Sequence, residues 1–153
     1  MTVLTELQKL FDEAGPLLAV GETRFESSPA FVTAYDFAFA NLSARLLADS
    51  EFDTIRLVVA PRGVPSNAGT LDVSTCAPWT RAIGLEVVWA WALTNQQGYT
   101  DGLRLQFGLG EKGVVVELVV SASRLETFIP TRVLAPSNKP LKRMVGRGRP
   151  PTA

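Results

Sequence analysis

Ile83–Ser121 reads IGLEVVWAWALTNQQGYTDGLRLQFGLGEKGVVVELVVS, and the spacing of its apolar residues decides the fold class. Three apolar runs are separated by two polar, glycine-bearing breaks. In the first run Leu85, Val87, Trp89, Trp91 and Leu93 alternate with Glu86, Val88, Ala90, Ala92 and Thr94. The second sets Leu103, Leu105, Phe107 and Leu109 against Arg104, Gln106 and Gly108. The third sets Val114, Val116, Leu118 and Val120 against Val115, Glu117, Val119 and Ser121. A period of two among β-branched and aromatic residues, punctuated by Asn and Gly, predicts an antiparallel meander. One face of it carries two tryptophans and a phenylalanine, the largest apolar surface the chain offers, and the expectation is that this face is core.

Outward from this centre, the remaining segments add strands and one helix. Thr54–Ala60 (TIRLVVA) reads as a strand, Leu17–Phe25 as another, and Arg124–Ile129 as a short last one. Residues 29–48 fit two periods. Phe31, Thr33, Tyr35, Phe37 and Phe39 share one parity, while Phe31, Ala34, Tyr35, Ala38, Phe39, Leu42 and Leu46 fit a helical stripe. The clustered aromatics and the break at Asn41 favour two strands, roughly 33–40 and 42–48, over the helix. At the N-terminus Leu4, Leu7, Leu10 and Phe11 stand at helical spacing before the stop Gly15-Pro16, which predicts a short amphipathic helix over 3–14. Residues 61–82, with three prolines and two glycines, show no sustained periodicity and read as a long loop. The fold class expected is therefore α+β, mainly antiparallel sheet, with an N-terminal helix. One domain spans 1–135, and a disordered basic Pro/Gly-rich tail spans 136–153.

Charge and composition bound the function classes. The 153 residues carry 15 basic and 15 acidic side chains, no histidine and a single cysteine, Cys76. Without histidine there is no Ser-His-Asp or Cys-His nucleophile activation and no His-containing metal site. One cysteine allows no intrachain disulfide. The N-terminal segment carries Glu6, Asp12 and Glu13 and lacks the apolar run of a secretory signal. No apolar run approaches the roughly 18 residues that span a bilayer, so a soluble, cytoplasmic protein without membrane association is expected. The zero net charge hides an asymmetry: no acid follows Glu126, while residues 137–153 carry +5. An acidic body with a basic arm is an interaction pattern.

Two resemblances follow from quoted residues. The strings FDTIRLVV and WAWALTNQQGYTDGLRLQF, within residues 52–121, resemble small uncharacterised bacterial proteins that share a Trp, Asn-Gln-Gly-Tyr and Asp-Gly pattern. That resemblance implies a mostly β fold and a bacterial origin, and no activity. Residues 143–151 resemble an AT-hook, a DNA-binding motif built on an Arg-Gly-Arg-Pro core. Here Arg147, Gly148, Arg149 and Pro150 supply the core and Arg143 a flanking base. The resemblance implies arginines entering a narrow A·T-rich minor groove, with glycine allowing close approach of the backbone. The chain departs from the motif in having one copy and no basic residue after the core.

Candidate chemistry within the fold is sparse. Asp49, Glu51 and Asp53 alternate as acids in a turn and are read as solvated rather than as cation ligands. The break Thr94–Gly102 is dense in hydrogen-bonding side chains. Asn95, Gln97, Tyr99 and Asp101, with Arg104 close behind, are candidate contacts to a partner or polar ligand; the competing reading is a self-satisfied hairpin loop with Asn95 and Gly98 at positive φ and Asp101 in an Asx turn. Gly108-Leu109-Gly110 lacks the strand and helix frame of a nucleotide loop and reads as a hairpin turn. The expected function is a non-enzymatic binding protein of immunity or regulatory type. It acts through a protein partner, with no catalytic residues, cofactor or metal, and homodimerisation is left open. The alternatives are DNA association through the tail, and a small-ligand pocket beside Trp89, Tyr99, Asp101 and Arg104.

Overall fold

The computed structural model describes residues 2–63 and 70–130. The tail and its AT-hook-like residues Arg143, Arg147, Gly148, Arg149 and Pro150 lie outside the described residues. Helix α1 spans Val3–Glu13. Thr2 caps it by accepting the Thr5 N–H on its side-chain oxygen at 3.3 Å. Its other end is closed by the turn at residues 40–41: Asn41 Nδ2 donates to the Glu13 carbonyl at 3.1 Å, and the Asn41 N–H to that of Ala14 at 3.0 Å. Gly15 (φ +69°) lets the chain reverse there, where a Cβ would sit 3.0 Å from Asn41 Nδ2.

Among the described residues, five strands form the first sheet, sheet A: β1 (Leu17–Phe25), β2 (Ser28–Phe39), β3 (Leu42–Asp49), β4 (Thr54–Pro61) and β5 (Leu71–Asp72), in the order β4-β3-β2-β1-β5. The aromatic period of two thus prevails over the helical stripe in residues 29–48, and the first of the two strands starts at Ser28 rather than near 33. The reason is packing. Tyr35, Phe37 and Phe39 fall on one face with Leu42, Ala44 and Leu46 of the next strand, and all six are buried. Four strands form the second sheet, sheet B: β6 (Val87–Thr94), β7 (Thr100–Phe107), β8 (Val114–Ser121) and β9 (Arg124–Phe128), paired in chain order. The meander is present as expected, and every pairing in both sheets is antiparallel.

The inner faces of the two sheets meet in one core, with β2 and β3 against β9 and β4 against β7 and β8. Tyr35 and Thr127 tie the sheets across this interface, the Thr127 hydroxyl donating to the Tyr35 oxygen at 2.8 Å. Burial holds the Tyr35 phenol above its usual pKa despite that bond, and the nearby Glu22 carboxylate adds to the rise. Helix α1 lies along β4 and β6, one edge strand from each sheet. It buries Leu7 and Leu10, while Leu4 and Phe11 of the expected stripe are exposed. Glu6 takes the inward position instead: its Oε2 accepts the Val59 N–H at 2.8 Å, and its Oε1 takes Lys9 Nζ at 3.0 Å. A carboxylate thus satisfies a backbone donor that β4, as an edge strand, cannot pair within the sheet. Burial alone would raise the Glu6 carboxyl, but Lys9 and the Val59 N–H together hold it below its usual 4.5.

Two expectations are corrected. Residues 61–82 are more than a loop. They include β5 and a short 3-10 turn, Trp79–Arg81, and they deliver Trp79 to the centre of the core at 2% exposure. Its ring lies 5.4 Å from both Tyr35 and Phe37. Conversely, the tryptophans of the meander are not core. A register shift between Val87 and Trp89 reverses the parity of β6, so that Val87 is buried while Trp89 and Trp91 face outward. Ala90 and Ala92 take the inward places, packed against the core where α1 lies along this strand.

Candidate functional site

The outward face of sheet B is built by register. Trp91 pairs with Arg104, Arg104 with Glu117 and Glu117 with Phe128, so these four side chains form one row across all four strands. The adjacent row runs Trp89, Gln106, Val115. On the other side lies the row Leu93, Gly102, Val119, Glu126. Trp89 is 56% exposed and Trp91 41% exposed, with their rings stacked at 6.3 Å and 26°. Phe128, at the far end of the row, is also exposed. Between the aromatic ends, Arg104 donates Nε and Nη2 to Glu117 Oε2 at 3.0 and 2.7 Å. The face is thus apolar at both edges, with an internally neutralised ion pair at its middle.

The sequence-selected residues divide between two places. Arg104 belongs to this face. Asn95, Gln97, Tyr99 and Asp101 instead line a polar cleft of ≈ 550 Å³, whose other wall includes Glu51 and Phe52. Arg104 does not line it, so the pocket expected beside Trp89, Tyr99, Asp101 and Arg104 does not form as one site. The loop itself is largely self-satisfied: Asn95 Oδ1 accepts the N–H groups of Gln97 and Tyr99 at 2.9 and 3.1 Å. Gly98 takes positive φ as expected (+85°). The Asx turn, however, is made by Asn95 and not by Asp101, and Asn95 is not among the positive-φ residues. Opposite, Asp49 Oδ1 accepts the Glu51 and Phe52 N–H groups, and Asp53 Oδ1 accepts that of Ser123 at 2.7 Å. The alternate acids therefore organise turns, and no group of residues suited to holding a metal ion occurs among the described residues.

A second cleft, ≈ 670 Å³, lies over the outer face of sheet A. Its floor is the register row Val58, Arg45, Asp36, Gly21 beside the small residues Ala38 and Ser43. Arg45 Nη1 donates to Asp36 Oδ1 at 3.2 Å, and Arg45 Nη2 to Thr23 at 3.4 Å. Asp36 Oδ2 is buried without a hydrogen bond of ordinary geometry. Burial raises the Asp36 carboxyl above its usual 3.8; the Arg45 charge and the Thr70 hydroxyl oppose that rise without cancelling it. The rim includes Gly63 and Thr70, and the six residues between them lie outside the described part.

Trp91 and Phe128 did not emerge as site residues from sequence, and Trp89 did so only as a pocket wall. The available signal was the ambiguity of Val87-Val88-Trp89-Ala90-Trp91-Ala92, which is apolar at both parities. A strand apolar on both faces either is buried twice or exposes one apolar face. The profile of a family of unknown function, DUF6334, matches residues 7–133, and the chain belongs to that family. No curated protein and no solved structure matches it. No helix among the described residues is long and apolar enough to cross a membrane.

Proposed function

We propose that this DUF6334 domain is a non-enzymatic binding module that receives a basic segment of a protein partner on the outer face of sheet B. The observation that carries this reading is the stacked, exposed Trp89–Trp91 pair. Two water-facing indoles in adjacent rows, with a third aromatic at the far end of the Trp91 row, are an apolar surface that a folded monomer does not need, and Trp is enriched where binding energy concentrates. The class of partner follows from charge. The described residues hold all fifteen acids and nine of the fifteen basic residues, a net −6. Such a body attracts cationic segments, and arginine or lysine over an indole face gains cation–π attraction. The absence of histidine from the chain and the self-satisfied turns of the polar cleft support docking over catalysis.

The test is a peptide selection against immobilised protein, run in parallel on wild type and on Trp89→Ala/Trp91→Ala. Selected sequences rich in Arg and Lys that bind wild type and lose at least ~100-fold on the double variant support the reading, because each buried Trp anchor contributes ≥ ~2 kcal/mol. Peptides that bind both proteins equally overturn it. The tail residues Arg147, Gly148, Arg149 and Pro150 supply the second reading, A·T-rich DNA, which the experiment below separates.

A further inference from the structure

We propose that the first occupant of this face is the chain's own basic segment, residues 131–153, which holds the docking site closed until a partner displaces it. The inference rests on the docking reading and names its regulation. Three observations carry it.

The first is where the chain leaves the fold. Strand β9 ends at Phe128, which stands in the same row as Trp91, and the described chain stops two residues later at Pro130. From β9 to β6 is three strand spacings, about 14 Å, a distance that four to five extended residues cover at ~3.3 Å each. Twenty-three residues follow Pro130. The segment therefore departs from one end of the face and has ample length to lie across it to the other.

The second is charge. Residues 131–153 contain Arg132, Lys139, Lys142, Arg143, Arg147 and Arg149 and no acid, which offsets the −6 of the body. Tethering turns this attraction into an intramolecular one, with an effective concentration on the order of millimolar. The third is chemical fit. Arginines suit the indole faces, and four prolines in the segment restrict it before it docks, which lowers the entropic cost of ordering it. The family match ends at Val133, so most of this segment lies outside the matched residues.

The experiment uses the full chain and its own fluorescence. Trp79 is buried and stays silent to a quencher, so acrylamide quenching reports Trp89 and Trp91. Quenching is measured from about 20 mM to 1 M NaCl on wild type and on Arg143→Glu/Arg147→Glu/Arg149→Glu, at several protein concentrations. The expected result is a Stern–Volmer constant that rises about twofold with salt in wild type and is already high in the charge-reversed chain, since screening weakens exposed ion attraction. A peptide selected on the Trp face should also bind the charge-reversed chain about tenfold more tightly, as expected when only about a tenth of wild type is open. Quenching that is independent of both salt and charge reversal overturns the inference. So does protection that depends on protein concentration, which identifies a second copy as the occupant. Binding of an A·T-rich duplex to the segment with no change in indole quenching also overturns it, in favour of the DNA reading. If the peptide binds both chains equally, only the closed state fails. If it ignores Trp89→Ala/Trp91→Ala, the docking reading itself fails.

Discussion

Glu6 offers the sharpest test of how the helix is attached to the sheets. The residue is 4% exposed, and its side chain bridges α1 to an edge strand through the 2.8 Å bond from the Val59 N–H. Replacing it with alanine leaves that N–H buried without an acceptor and removes a hydrogen bond to a charged group, a cost of about 1.5–3 kcal/mol. The Lys9 pair adds little, because Lys9 is about a third exposed and i,i+3 pairs contribute only a few tenths of a kcal/mol. Glu6→Ala should therefore lose about 2–3 kcal/mol, a fall in Tm of about 5–10 °C for a domain of this size. Glu6→Gln keeps an oxygen that can accept from Val59 but loses the charge, and should cost about 1 kcal/mol.

The pH dependence separates this account from a simple loss of packing. The Glu6 carboxyl lies below 4.5 when folded, so the unfolded chain binds its proton more readily. The stability it contributes is fully present above the unfolded value and is lost as pH falls through the folded one. Urea unfolding followed by far-UV circular dichroism from pH 7 down to about pH 3 measures this directly. The gap between wild type and Glu6→Gln should be constant above about pH 5 and close below about pH 4. Parallel profiles across the range, or a Glu6→Ala cost under about 0.5 kcal/mol, would refute the bridge.

Trp79→Ala should cost about 3–5 kcal/mol, since it empties the core between Tyr35 and Phe37. Trp89→Ala/Trp91→Ala should cost about 1 kcal/mol, the value of an exposed aromatic pair; equal costs in urea unfolding would contradict the inside–outside assignment. Gly102→Ala would place a Cβ 2.8 Å from the Leu118 carbonyl and 3.1 Å from Leu93 Cδ1. It should destabilise by about 1–3 kcal/mol, and a neutral result would mean that the β7–β8 pairing is looser than described. Asp36 has the opposite sign to Glu6. Its folded carboxyl is raised above 3.8, so it binds its proton more tightly when folded, and stability falls as pH rises through the window above 3.8. Asp36→Asn should remove that falling limb between about pH 4 and 7; an unchanged profile in urea titrations would count against the burial of this carboxyl.

Most of the fold is legible in the chain because period two is a local property. Leu103, Leu105 and Phe107, like Val116 and Leu118, announce their strand and their buried face through neighbours alone. The helix over Val3–Glu13 is equally local, but its inward residue Glu6 is not, because its acceptor role exists only where β4 presents an unpaired N–H. The candidate site was less legible for the same reason. In sequence Arg104 stands next to the loop cluster, yet its partner is Glu117, thirteen residues away across β7 and β8. The hydrogen-bonding capacity of Asn95 is visible in the sequence, but its use inside its own turn is not.

By itself, the chain determines that Val87–Thr94 is a strand, that three more strands follow it as a meander, and that its charge divides into an acidic body and a basic end. Only the tertiary structure decides which tryptophan is core. One residue of register shift at Val88 exchanges the two faces of β6, and both faces are apolar, so nothing in the strand's own pattern chooses between them. The choice comes from volume. Helix α1 lies along β6, and the inward places on that strand go to the small Ala90 and Ala92, so Trp89 and Trp91 are turned to the water, while the core indole is Trp79 from a segment without periodicity.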